Sequence, residues 1–89
     1  MLNIKKRIGN KIQLKYLLEA YKLFSKANAH DQCAKIASDI SYLFSPASPT
    51  KVEKYAREAL AHAEKSGDAE SQLYARLAYG GYLTDKLES

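Results

Sequence analysis

From Leu73 to Leu83 the chain is apolar on nearly every side. Leu73, Tyr74, Ala75, Leu77, Ala78, Tyr79, Gly80, Gly81, Tyr82 and Leu83 are interrupted only by Arg76. A surface helix needs one apolar stripe, and a helix apolar all round expects burial on more than one side. That demand is hard to satisfy in 89 residues. Domains of ~60–90 residues bury a smaller share of their surface than larger ones and are marginally stable.

The composition limits what can cover such a segment. Thirteen Ala and eleven Leu stand against one Val, four Gly and two Pro. Sheets draw on β-branched residues, whereas Ala, Leu, Lys and Glu favour helix. A single domain over 1–89, all-α, is expected. One Cys excludes an internal disulfide framework and fits a reducing compartment. No apolar run approaches the ~20 residues of a transmembrane helix. Met1-Leu2 followed by Lys5, Lys6 and Arg7 opens like a signal peptide, but no apolar run of ~7–15 residues follows. A soluble, cytoplasmic protein is expected.

Four helices are predicted, over about 11–27, 31–44, 51–66 and 69–87. Asn10-Lys11-Ile12-Gln13 has capping-box form, and Leu14, Leu17, Leu18, Tyr21 and Phe24 recur at helical spacing behind it. Asn28 suits the left-handed cap. The second stripe is Cys33, Ile36, Ala37, Ile40, Leu43 and Phe44, followed by a loop at Ser45–Thr50 with two Pro. Thr50-Lys51-Val52-Glu53 is a second capping box, opening the stripe Val52, Tyr55, Ala56, Ala59, Leu60 and Ala63. Glu53–Arg57 is a favourable i,i+4 pair. Gly67 suits a left-handed C′ position and Asp68 an N-cap, which makes a very short turn between antiparallel neighbours. Gly80-Gly81 permits a kink or a helix end. Residues 1–9 are a basic segment, either a short helix or disordered. An unbroken helix there would turn Ile4, Ile8 and Ile12 roughly 150° away from the Leu14–Tyr21 stripe, at 100° per residue. Either Gly9-Asn10 breaks it, or that face contacts something else.

The chain also repeats itself. At an offset of 39, Lys15-Tyr16-Leu17-Leu18-Glu19-Ala20 matches Lys54-Tyr55-Ala56-Arg57-Glu58-Ala59 at four of six positions, and Lys26 matches Lys65. One residue added in the turn brings Gln32 onto Gln72, Tyr42 onto Tyr82 and Leu43 onto Leu83. A helical pair repeated at this period belongs to helical repeat arrays. Ala59-Leu60, the Gly67-Asp68 turn, and the following Leu73, Leu77 and Gly81 resemble the tetratricopeptide-repeat superfamily, with Ala20-Tyr21 at the equivalent place in the first unit. The resemblance spans about residues 12–84. It implies two antiparallel helical hairpins in a right-handed stack, with a closed four-helix bundle as the alternative. It also implies a protein- or peptide-binding scaffold, adaptor or chaperone.

Arrays need about three units, because each unit's apolar face is covered by the next. This chain has two. Either the hairpins close into a bundle, or the last helix is covered by another chain, burying ~800 Å² on each side in a stable interface. The second option assigns Leu73, Tyr74, Leu77, Tyr79, Tyr82 and Leu83 to partner binding, through self-association or a partner helix or peptide. Tyr79 and Tyr82 are the expected interface tyrosines. Tyr16, Tyr21, Tyr55 and Tyr74 are expected in the packed groove between the hairpins.

Charge is lopsided. Residues 1–26 hold Lys5, Lys6, Arg7, Lys11, Lys15, Lys22 and Lys26 against Glu19, a net +6; the remainder holds seven basic and nine acidic residues, a net −2. The basic patch reads either as a solvated helix face or as a phosphate-tracking surface, giving non-specific nucleic-acid binding as the alternative function. No bunched Arg, Asn or Gln is present to read bases. A membrane-surface role for 1–9 ranks last, since three Ile and three basic residues are too few without a lipid anchor.

Enzymatic signals are few. There is no glycine-rich phosphate loop and no His-Glu-x-x-His. His30 and Cys33 are three apart with Asp31 between them, and only His62 could join them toward the four ligands of a structural zinc site; a capping turn with a buried Cys is the expected reading, with no metal or other cofactor. Glu58, Glu64 and Asp68 read as ordinary surface or cap residues. A non-enzymatic interaction module is expected.

Overall fold

A computed structural model describes residues 3–44 and 48–88, with side chains described for 11–44, 48–84 and Leu87. It is all-α: α1 (Asn3–Lys26), α2 (His30–Phe44), α3 (Pro49–Ser66) and α4 (Ala69–Glu88). The expected side chains of Lys5, Lys6 and Arg7, and the loop residues Ser45, Pro46 and Ala47, lie outside the described residues.

The turns follow the sequence closely. Asn28 takes a left-handed φ of 56° and Gly67 one of 67°. After α1, the Ala29 N–H donates to the Phe24 carbonyl at 3.0 Å and the Asn28 N–H to Ser25 at 3.2 Å, the paired bonds of a Schellman cap. After α3, the Gly67 N–H donates to the Ala63 carbonyl at 3.2 Å. Asp68 then caps α4, its Oδ2 accepting from the Ser71 N–H at 2.9 Å. Turns this short make α1–α2 and α3–α4 antiparallel hairpins.

Three local expectations are corrected. Asn10 is no N-cap, because α1 runs unbroken from Asn3 through Gly9 and Asn10. A single interior Gly costs only about 1 kcal/mol against Ala, too little to stop a helix among Lys, Arg and Ile. Thr50 is no N-cap either. Ser48 takes that place without a side-chain bond, and Pro49 occupies the first helical position. Proline's fixed φ suits that position and its missing N–H costs nothing there, so the helix starts earlier and the Thr50–Glu53 box does not form. Gly80-Gly81 does not end α4, which continues to Glu88.

The core is built from small residues. Ala34, Ala37, Ala59, Ala63 and Ala75 form one buried cluster, with Tyr21 and Leu60 packed against it. Val52, Ala56 and Tyr82 form a second, with Phe44 and Tyr79 around it. Ser38, Ser41 and Ser71 are buried among them. Each hydroxyl has a partner: Ser38 donates to the Ala34 carbonyl at 2.8 Å, Ser41 to the Val52 carbonyl at 3.0 Å, and Ser71 lies 2.8 Å from Asp68 Oδ2. Small side chains let helix backbones approach closely, so dense packing is reached without large apolar residues.

Helix α2 is the hub, packing against α1, α3 and α4, while α3 also packs against α4. Among the described residues the α1 and α4 backbones do not come within packing distance of each other, so the four helices do not close into a tight ring. The shortest dimension is 20 Å, against 43 and 31 Å for the others. That is about two helix diameters thick. The arrangement is an open stack with α1 and α4 toward its ends.

Candidate docking faces

The register of α4 decides what it buries. Ser71, Ala75, Ala78 and Tyr82 recur at spacings of four, three and four, and all four are buried. The opposite side carries Leu73, Leu77 and Leu87, which are 58%, 59% and 87% exposed. Tyr74 and Leu83 flank that side and are exposed as well. The predicted partner-binding set is therefore split. Leu73, Tyr74, Leu77 and Leu83 face outward, Tyr79 is half-buried, and Tyr82 is only 7% exposed and belongs to the core. The correction at Tyr82 has a simple cause. It shares the face of Ala75 and Ala78, seven and four residues earlier, and so follows the alanines inward. Tyr79 rests beside it, ring centroids 5.8 Å apart, with the Arg57 guanidinium 5.9 Å from the Tyr79 ring.

The other tyrosines also divide. Tyr21 and Tyr55 meet edge to face at 6.0 Å between the hairpins, as expected. Tyr16 and Tyr74 are exposed instead.

Helix α1 presents a second outer face. Ile12, Tyr16 and Leu23 share one side and are exposed. Lys11, Lys15, Lys22 and Lys26 form an exposed stripe beside it, and none of the four is ion-paired with a described residue. The inner side of α1 is only half-buried: no residue from Lys11 to Lys26 is fully enclosed.

One polar chain holds α1 in place, and sequence reasoning missed it. Tyr21 donates to Glu58 Oε1 at 2.6 Å. His62 Nε2 lies 3.1 Å from the Tyr21 oxygen, and His62 Nδ1 lies 3.0 Å from His30 Nδ1. Tyr21 has one proton and gives it to Glu58, so His62 must donate from Nε2 to the Tyr21 oxygen. That leaves His62 Nδ1 bare, and His30 donates to it from its own Nδ1. Three helices are thereby tied in one direction, toward a carboxylate. Glu58 is thus a half-buried acceptor and not an ordinary surface residue. Burial and the Glu58 carboxylate push the Tyr21 phenol up. Burial first, and then the neighbouring His30, hold His62 below its ordinary value.

The imidazole nitrogens that face each other are used in this chain. Cys33 is buried, its Sγ 3.6 Å from Ser25 Oγ. Among the described residues no three His, Cys, Asp or Glu side chains converge on a metal-sized site. A shallow groove of about 290 Å³ opens between α2 and α4, beside Ser41, Tyr42, Gly81 and Thr84. The Ser41 and Thr84 hydroxyls already donate to the Val52 and Gly80 carbonyls, at 3.0 and 2.9 Å. Among the described residues no helix is long and apolar enough to cross a membrane.

No family model, no curated protein and no solved structure matches this chain.

Proposed function

We propose that this chain is a non-enzymatic protein-interaction module, a small tetratricopeptide-like adaptor, chaperone or regulator, whose docking surface is the outer face of α4. One observation carries the reading: Leu73, Leu77 and Leu87 lie on the side of α4 that the chain's own helices leave uncovered. Exposed apolar side chains scattered singly are ordinary, but Leu73 and Leu77 stand on successive turns of one face with Tyr74 and Leu83 flanking it, a cluster of exposed apolar side chains. A helix in an apolar groove, or a second helix along the stripe, is the occupant this shape accepts.

A photo-crosslinking residue at position 77, compared with one at exposed Asp39 on α2, tests the reading in the native cell. Adducts at 77 and none at 39 are expected. Equal labelling at both positions, or none at 77, overturns it.

The lysine stripe of α1 favours a second reading, non-specific nucleic-acid binding. Its test is retardation across a salt series. Phosphate tracking by Lys11, Lys15, Lys22 and Lys26 predicts log affinity falling steeply with log salt, and loss on Lys15→Glu/Lys22→Glu. Absence of binding at about 50 mM salt rejects this reading.

A further inference from the structure

The two halves of the chain, laid on each other, show what α4 lacks. The internal match at offset 39 pairs α1 with α3, and the left-handed caps Asn28 and Gly67 fall on each other at that offset. At offset 40, α2 pairs with α4. Helix α2 has an α3-type helix against it twice, α1 and α3; helix α4 has only α3. The exposed Leu73 and Leu77 of α4 correspond to Cys33 and Ala37 of α2, both 0% exposed. Gly80, with nothing within 4 Å of the position a Cβ would take, corresponds to Ile40, which is also fully buried. The bare side of α4 is the side on which α2 is covered.

The missing cover is present elsewhere in the same chain. In α3, Tyr55 stacks on Phe44 of α2 at 5.9 Å and His62 meets His30 of α2 at 3.0 Å. Their counterparts in α1 are Tyr16 and Leu23, each 67% exposed. Helix α1 thus carries an α3-type contact face with nothing on it, and α4 carries an α2-type face with nothing on it. The two lie on α1 and α4, whose backbones do not pack against each other among the described residues.

We infer that a second copy of this chain supplies the cover, its α1 lying along α4 of the first, head to tail. Charge agrees with this pairing. Residues 1–26 hold a net +6, while α4 holds Glu70, Asp85 and Glu88 against Arg76 and Lys86, a net −1, so the contact sets a strongly basic helix against a weakly acidic one, whereas α1 against α1 sets like against like. A contact between two different faces leaves one α1 face and one α4 face free at the ends of any pair, so further copies add until the row closes into a ring or continues as an open filament. The inference rests on the reading of α4's outer face as a docking surface, and adds its occupant.

Sedimentation of the wild-type chain and of two variants tests it. Leu77→Glu blocks the α4 face and Leu23→Glu the α1 face. Circular dichroism confirms that both retain helicity, and Leu73→Glu and Tyr16→Glu repeat the test at neighbouring positions. The wild type is expected to pass beyond dimer as concentration rises from about 1 to about 200 µM. Each variant alone is expected to stay monomeric. Their mixture is expected to give a one-to-one dimer and nothing larger, since each supplies the face the other lacks. A Leu23→Glu variant that dimerises by itself overturns the head-to-tail pairing in favour of α4 against α4. A monomeric wild type overturns self-association altogether. Crosslinks from position 77 to a different protein would then leave the docking face standing with another occupant, and their absence would remove both.

Discussion

At the scale of single residues, the smallest side chains carry the fold. Ala75 is fully buried against Ala34, Ala37, Ala59 and Ala63. There is no room for three more carbons between helices packed this closely. Ala75→Leu is expected to destabilise the chain by about 1–3 kcal/mol through overpacking, read as a drop in denaturant midpoint. His62 makes a second prediction. Its folded-state affinity for protons lies below its ordinary value of 6.5, first because burial disfavours the charged ring and then because of the neighbouring His30, which already donates at the Nδ1 a second proton would take. The unfolded chain therefore binds more protons than the folded one below about pH 6.5, and stability rises with pH there. The contribution is complete above pH 6.5 and is lost as pH falls from 6.5 through the lower folded value. His62→Gln should flatten the decline in melting temperature between about pH 7 and 5; an unchanged slope rejects this account.

At the scale of helices, α1 is the most loosely held. Its inner face is half-buried, it packs on α2, and it reaches α3 through Tyr21. Amides of 11–26 should exchange with solvent at a lower opening free energy than those of α2 and α3. Tyr21→Phe removes the link between His62 and Glu58 and should cost about 1 kcal/mol, with faster exchange confined to α1. Protection in α1 equal to that in α2 contradicts this ranking. The helices themselves were readable from the chain: periodicity, Asn28, Gly67 and Asp68 place α2, α3 and α4 to within one or two residues at most of their ends. The start of α1 was not, because Asn10 and Gln13 imitate a cap inside a helix that nothing interrupts. Thr50 and Glu53 imitate one too, but Pro49 comes first. The burial pattern of α4 was readable in kind and misread in detail. Size points to Leu73, Tyr74 and Leu77 as contact residues, and they are exposed. It points equally to Tyr82, which instead follows the Ser71–Ala75–Ala78 line inward. The His30–His62–Tyr21–Glu58 chain joins residues up to 41 positions apart, and no local signal in the sequence announces it.

At the scale of the whole molecule, α4 divides between two faces: Ser71, Ala75, Ala78 and Tyr82 hold the chain's own fold, and the exposed leucines form the face proposed for docking. Thermal unfolding of Leu73→Glu/Leu77→Glu in dilute solution separates the two. Both side chains are more than half exposed, and surface changes of this kind stay within about ±0.5 kcal/mol each. The double variant should therefore melt within about 8 °C of the wild type, with its helicity intact. Loss of helicity, or a fall of more than about 15 °C matching removal of core leucines at 2–5 kcal/mol each, would show that these leucines belong to the core and contradict the account.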